Sequence, residues 1–93
     1  MSNVYQSGNT VRLECKFYDF YNNPVNPDVV KIILYNYKYE ILKEFLVNQS
    51  ADVGSYYFDY KTEDEPQRLF YEWYGEINGK PSIKRGELYT RFI

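Results

Sequence analysis

The sequence predicts an all-β, antiparallel, two-sheet sandwich, and three observations carry that expectation. Aromatic residues make up 20% of the chain, with twelve tyrosines among them, and aromatic and β-branched side chains suit the half-buried, pleated surface of a strand. Short runs alternate apolar with polar residues, which is the period of a strand with one face in a core. Asn, Gly and Pro clusters separate those runs, as turns do in a sandwich of about seven strands. A chain of 93 residues makes one domain, spanning 1–93, with a modest core that needs no disulfide.

The clearest strand runs from Thr10 to Tyr18, with Val11, Leu13, Cys15 and Phe17 on one face and Arg12, Glu14 and Lys16 on the other. Cys15 therefore reads as a small core residue. Two prolines and three asparagines between Asp19 and Asp28 make a long connection. Val29 to Tyr35 is a second strand, pointing Val30, Ile32 and Leu34 inward and Ile33 and Tyr35 outward. From Tyr39 to Val47 the pattern of Ile41, Leu42, Phe45 and Leu46 fits a short amphipathic helix as well as a strand, and context favours the strand; a turn at Asn36-Tyr37-Lys38 would make it a hairpin with the strand before it.

A break from Asn48 to Gly54 precedes Ser55 to Tyr60, which alternates again, with Tyr56, Phe58 and Tyr60 inward and Tyr57 and Asp59 outward. A charged loop, Lys61 to Gln67, leads to Leu69 to Tyr74, where Leu69, Tyr71 and Trp73 face the core and Phe70, Glu72 and Tyr74 face out. Asn78-Gly79 supplies the positive φ angles of a tight type I′ hairpin turn. The last strand, about Ser82 to Phe92, is interrupted by Gly86, a place for a bulge.

Composition removes several functions. Eleven basic residues face thirteen acidic ones and are scattered, so a nucleic-acid site built on phosphate neutralisation is not expected. No apolar run reaches the length of a membrane span, and Met1 to Gly8 is polar where a signal peptide would be basic and then apolar. With one cysteine no bridge can close within the chain. The chain has no histidine, which removes Ser-His-Asp and Cys-His catalysis and the commonest zinc ligand. Asp59 and Glu72 form the one conceivable catalytic carboxylate pair, and Glu63-Asp64-Glu65 the one acidic cluster. Both read as solvated surface, since the cluster lacks the ligand spacing and glycine of a calcium loop. No enzyme activity, cofactor or metal is expected.

The outward aromatics are the candidate functional set. Ile33, Tyr35, Tyr57, Phe70 and Tyr74, with Tyr18 beside them, would lie on exposed sheet faces, and an apolar patch of that kind suits a protein interface. The alternatives are cross-strand pairs that only stiffen the sheets and a carbohydrate- or host-surface-binding module using exposed tyrosines.

Gly8-Asn9-Thr10-Val11-Arg12-Leu13, Asp19 to Val25, Asp52-Val53-Gly54-Ser55-Tyr56-Tyr57-Phe58-Asp59-Tyr60, Tyr71-Glu72-Trp73-Tyr74-Gly75 and Asn78-Gly79-Lys80 together span most of the chain. In that order they resemble the immunoglobulin-like domains of small tailed-bacteriophage structural proteins. Val53 and Asn36-Tyr37-Lys38 depart from the turn residues of that pattern. The resemblance implies an immunoglobulin-like fold and a virion-associated structural or decoration role, with assembly in the host cytoplasm. The implied partners are other virion proteins or copies of the same chain, and no catalytic residue is carried over.

Overall fold

The computed structural model describes residues 4–48 and 50–92; the expectations that fall on residues 1–3 and 49 lie outside them. Eight strands occur: β1 (Val4–Gln6), β2 (Thr10–Lys16), β3 (Val29–Tyr35), β4 (Ile41–Leu46), β5 (Ser50–Asp52), β6 (Ser55–Lys61), β7 (Gln67–Ile77) and β8 (Lys80–Arg91). They form a five-stranded sheet, ordered β1-β8-β7-β3-β4, and a three-stranded sheet, ordered β2-β6-β5. No helix is present among the described residues. Every pairing is antiparallel except that of β1 with β8. The two short strands β1 and β5 were not expected, and β5 falls within the break foreseen at 48–54.

The core lies between the sheets, and period-two alternation explains its membership. Val11, Leu13, Cys15 and Phe17 of β2 and the residue after it are all buried, as are Val30, Ile32 and Leu34 of β3 and Leu69 and Trp73 of β7. Tyr56 and Tyr60 of β6 complete the wall opposite, with the Tyr56 ring edge-on to Phe17 at 5.7 Å between centroids.

Residues 41–46 form a strand, the favoured of the two readings. Side-chain chemistry at Asn36 decides it: Asn36 Oδ1 accepts from the backbone N–H of Lys38 at 2.8 Å and of Glu40 at 3.0 Å, while Asn36 N–H donates to the Glu40 carbonyl at 3.0 Å. An Asx-type turn thus does the work of the missing turn residues. Phe45 then faces the core, stacked on Phe58 of the other sheet. A register irregularity between Leu34 and Tyr35 pairs Tyr35 with Ile41 and leaves Leu42 as the extra residue of β4.

Asn78 and Gly79 have φ of 54° and 75°, as the β7–β8 hairpin requires. Gly86 makes no bulge: β7 and β8 pair without a register break from Gln67–Thr90 to Ile77–Lys80. Its lack of a side chain serves packing instead, because a Cβ there would overlap the ring and hydroxyl of Tyr71.

Candidate binding face

Four of the five candidate residues meet on one surface, the outer face of the five-stranded sheet. Strand register sets out its rows: Leu46, Lys31, Tyr74 and Ile83; then Glu44, Ile33, Glu72 and Arg85; then Ile41, Tyr35, Phe70 and Glu87. Tyr57 is not among them. It belongs to β6, on the outer face of the three-stranded sheet, where the Arg12 guanidinium lies 4.2 Å from its ring centroid. The separation follows from strand pairing, since β6 adds to β2 and not to β3.

Ile33 points outward but is not exposed, a correction to the expectation. Only 7% of it reaches solvent, because it sits on a central strand with long side chains folded around it. The Lys31 ammonium reaches Glu44 at 2.9 Å, and Arg85 Nε donates to Glu72 Oε1 at 2.7 Å. Tyr35, Phe70 and Tyr74 are half-buried for related reasons. Tyr74 donates to Glu76 Oε1 at 2.9 Å and carries Lys31 over its ring at 5.0 Å. The bond to Glu76 and burial raise the Tyr74 phenol above its ordinary pKa. Arg68 lies over Phe70 at 5.1 Å.

The most exposed apolar groups of this face were not singled out from the sequence: Ile41, Leu46, Tyr39 and Ile83. For Tyr39 a local signal exists, since the Asn36-x-Lys38-x-Glu40 spacing closes the turn that lifts it. Its φ is 63°, and its ring stacks on Phe70 with centroids 4.6 Å apart. Phe20 and Tyr21 also escaped notice. They stand 88% and 85% exposed on a loop that Asp19 Oδ1 closes by accepting from the N–H groups of Tyr21 and Asn23.

Between Tyr35, Tyr39, Phe70, Glu72, Arg85 and Gly86 the face sinks into a depression of about 340 Å³. Glu72 lies at its edge with its side chain 10% exposed, against 72% for Arg85. Among the described residues the second carboxylate oxygen of Glu72 accepts only a long 3.4 Å bond, from the Tyr35 hydroxyl. Burial, and then the Glu72 charge, raise the Tyr35 phenol above its ordinary pKa.

The carboxylate pair considered for catalysis does not assemble. Asp59 is held by Arg12 at 2.7 and 3.0 Å on the outer face of the smaller sheet, whereas Glu72 lies on the outer face of the larger one. Among the described residues no group of three His, Cys, Asp or Glu side chains could hold a metal ion. No family model, curated protein or solved structure matches the chain.

Proposed function

We propose that the chain is a non-enzymatic, immunoglobulin-like binding domain that docks a protein partner through the outer face of its five-stranded sheet. Following the resemblance of its sequence, the partner is a tailed-phage virion component or a second copy of the chain. The observation that carries the reading is the exposed apolar rim of that face, Ile41, Leu46, Tyr39 and Ile83, continuous in register with half-buried Tyr35, Phe70 and Tyr74. Aromatic and aliphatic groups set among charged pairs are the composition of an interface core and rim.

The strand order supports the immunoglobulin-like part. With β1 lettered A′ and β2 to β8 lettered B, C, C′, D, E, F and G, the two sheets are A′GFCC′ and BED, close to the division in immunoglobulin domains. Side chains rather than the free edge of β4 make the contact on this reading. Lys43 lies opposite core-facing Leu34, and Leu42 interrupts the ladder; an inward-pointing charge and a bulge are two devices that discourage edge pairing.

The test is the mass in solution by light scattering over a concentration series, alone and with purified virion proteins. A defined oligomer or complex that Leu46→Glu and Ile83→Glu dissolve is the expected result. A strict monomer with no affinity for virion proteins overturns the reading.

A further inference from the structure

We propose that the depression bounded by Tyr35, Tyr39, Phe70, Glu72 and Arg85 binds one neutral pyranose ring of a saccharide, an inference resting on the reading of the outer face of the larger sheet as the working surface. Two features single the depression out from the rest of that face. The first is a carboxylate, Glu72, withdrawn from solvent to 10% side-chain exposure at the edge of an aromatic surround. The second is Tyr39, an aromatic residue at φ 63°, a region L residues with bulky side chains rarely adopt. Backbone strain of this kind persists only where its surroundings over-determine it; here the Asn36 bonds to Lys38 and Glu40 hold the loop so that the Tyr39 ring forms the rim.

Charge decides the class of ligand. Glu72 is already compensated by Arg85 at 2.7 Å, so the pair carries no net charge and neither an entering cation nor an anion would find an unpaired charge to bind. A wholly apolar ligand would strip water from Glu72 Oε2, which among the described residues has only the 3.4 Å bond from Tyr35, and from Arg85, at the cost of burying polar groups without partners. A neutral ring with adjacent hydroxyls satisfies all of them. One hydroxyl donates to Glu72 Oε2, its neighbour accepts from the Arg85 guanidinium, and the C–H face rests on the aromatic walls. A volume of about 340 Å³ is near the lower end of the ~300–1,000 Å³ usual for small-molecule sites, enough for one ring with the rest of the saccharide in solvent.

The test is an array of neutral, amino and acidic mono- and oligosaccharides, followed by titration calorimetry on whatever binds, with the full chain and with Tyr39→Gly and Arg85→Ala. Tyr39→Gly removes a wall while relieving the backbone, so it keeps the assay informative if Arg85→Ala folds poorly; Trp73 emission checks folding of both. Neutral sugars should bind, and each variant should weaken them about tenfold or more, Arg85→Ala through loss of a hydrogen bond to a charged group and Tyr39→Gly through loss of an aromatic wall. No binding, binding of charged sugars only, or binding that neither variant changes overturns the proposal. If the array is blank while Leu46→Glu still dissolves the protein assembly, only the saccharide site falls; if Leu46→Glu is silent as well, the outer face has no working role.

Discussion

Phe45 and Phe58 stack across the gap between the two sheets, with ring centroids 4.7 Å apart and planes inclined by 28°. Phe45 is the one side chain of β4 that is not exposed, so this contact ties the edge strand β4 to the opposite sheet, beside its ladder to β3. Phe45→Ala should cost about 2–3 kcal/mol in urea unfolding. That is below the ~3–5 kcal/mol of a fully buried phenylalanine, because both rings are only partly enclosed. A cost under about 0.5 kcal/mol, the range of a plain surface substitution, would mean that β4 is held by its hydrogen bonds to β3 alone.

Cys15 gives a pH dependence with a definite sign. Burial pushes its thiol up to about 11 from an ordinary 9.0, so the folded state keeps its proton where the unfolded chain has lost it. The associated stability is complete below about pH 9 and is lost as the pH rises towards 11, by roughly 3 kcal/mol in total. Denaturation midpoints between pH 7 and 11 should fall along this limb and fall less in Cys15→Ala. Burial raises the phenols of Tyr56 and Tyr60 as well, so a residual alkaline slope remains in that variant. An unchanged slope would place the whole effect on the tyrosines.

Gly86→Ala should destabilise the domain by about 1–3 kcal/mol, the usual range for overpacking, since the added methyl collides with the Tyr71 ring. Tyr71→Phe alone does not make room, because the ring carbons are in the way as well as the hydroxyl. Tyr71→Leu combined with Gly86→Ala should therefore be less destabilised than the sum of the two single changes in a double-mutant cycle. Strict additivity would show that the two positions do not share space.

The Glu72–Arg85 pair predicts a second cycle. Arg85→Ala leaves a nearly buried carboxylate without its charged partner and should cost about 1 kcal/mol, at the low end for such a loss because Arg85 itself is 72% exposed. Adding Glu72→Gln removes the uncompensated charge and should recover most of that loss. Thermal unfolding of the four proteins measures it, and a double variant less stable than Arg85→Ala would contradict the account.

What the sequence made legible was whatever depends on neighbours along the chain. Val11, Leu13, Cys15 and Phe17 were assigned to the core by alternation, Trp73 and Leu69 likewise, and Asn78-Gly79 announced its hairpin. What it hid depends on which strand lies beside which. Ile33 is shielded by side chains bonded to Glu44 and Glu72, eleven and thirty-nine positions further on, and no local pattern reveals that cover. Tyr57 and Tyr35 look alike as outward tyrosines until the sheets are assigned, and then they stand on opposite surfaces. The exposure of Ile41 and Leu46 was masked because their spacing suits two kinds of element, and each would turn them differently. Gly86 shows a subtler gap: the glycine was noticed, but the reason for it, a ring on the adjacent strand, was not local.

The parallel pairing of β1 with β8 has a mechanical meaning. Val4 aligns with Tyr89 and Gln6 with Arg91, and Ser7 N–H donates to the Arg91 carbonyl at 2.9 Å. Because the two strands run the same way, tension applied to the chain before Val4 and after Arg91 pulls them past each other along their length. The bonds between them then bear the load together instead of opening one by one from an end. The first event under force is accordingly a shear failure at this short seam, which strips β1 and Tyr5 from the edge and leaves the other seven strands paired behind it.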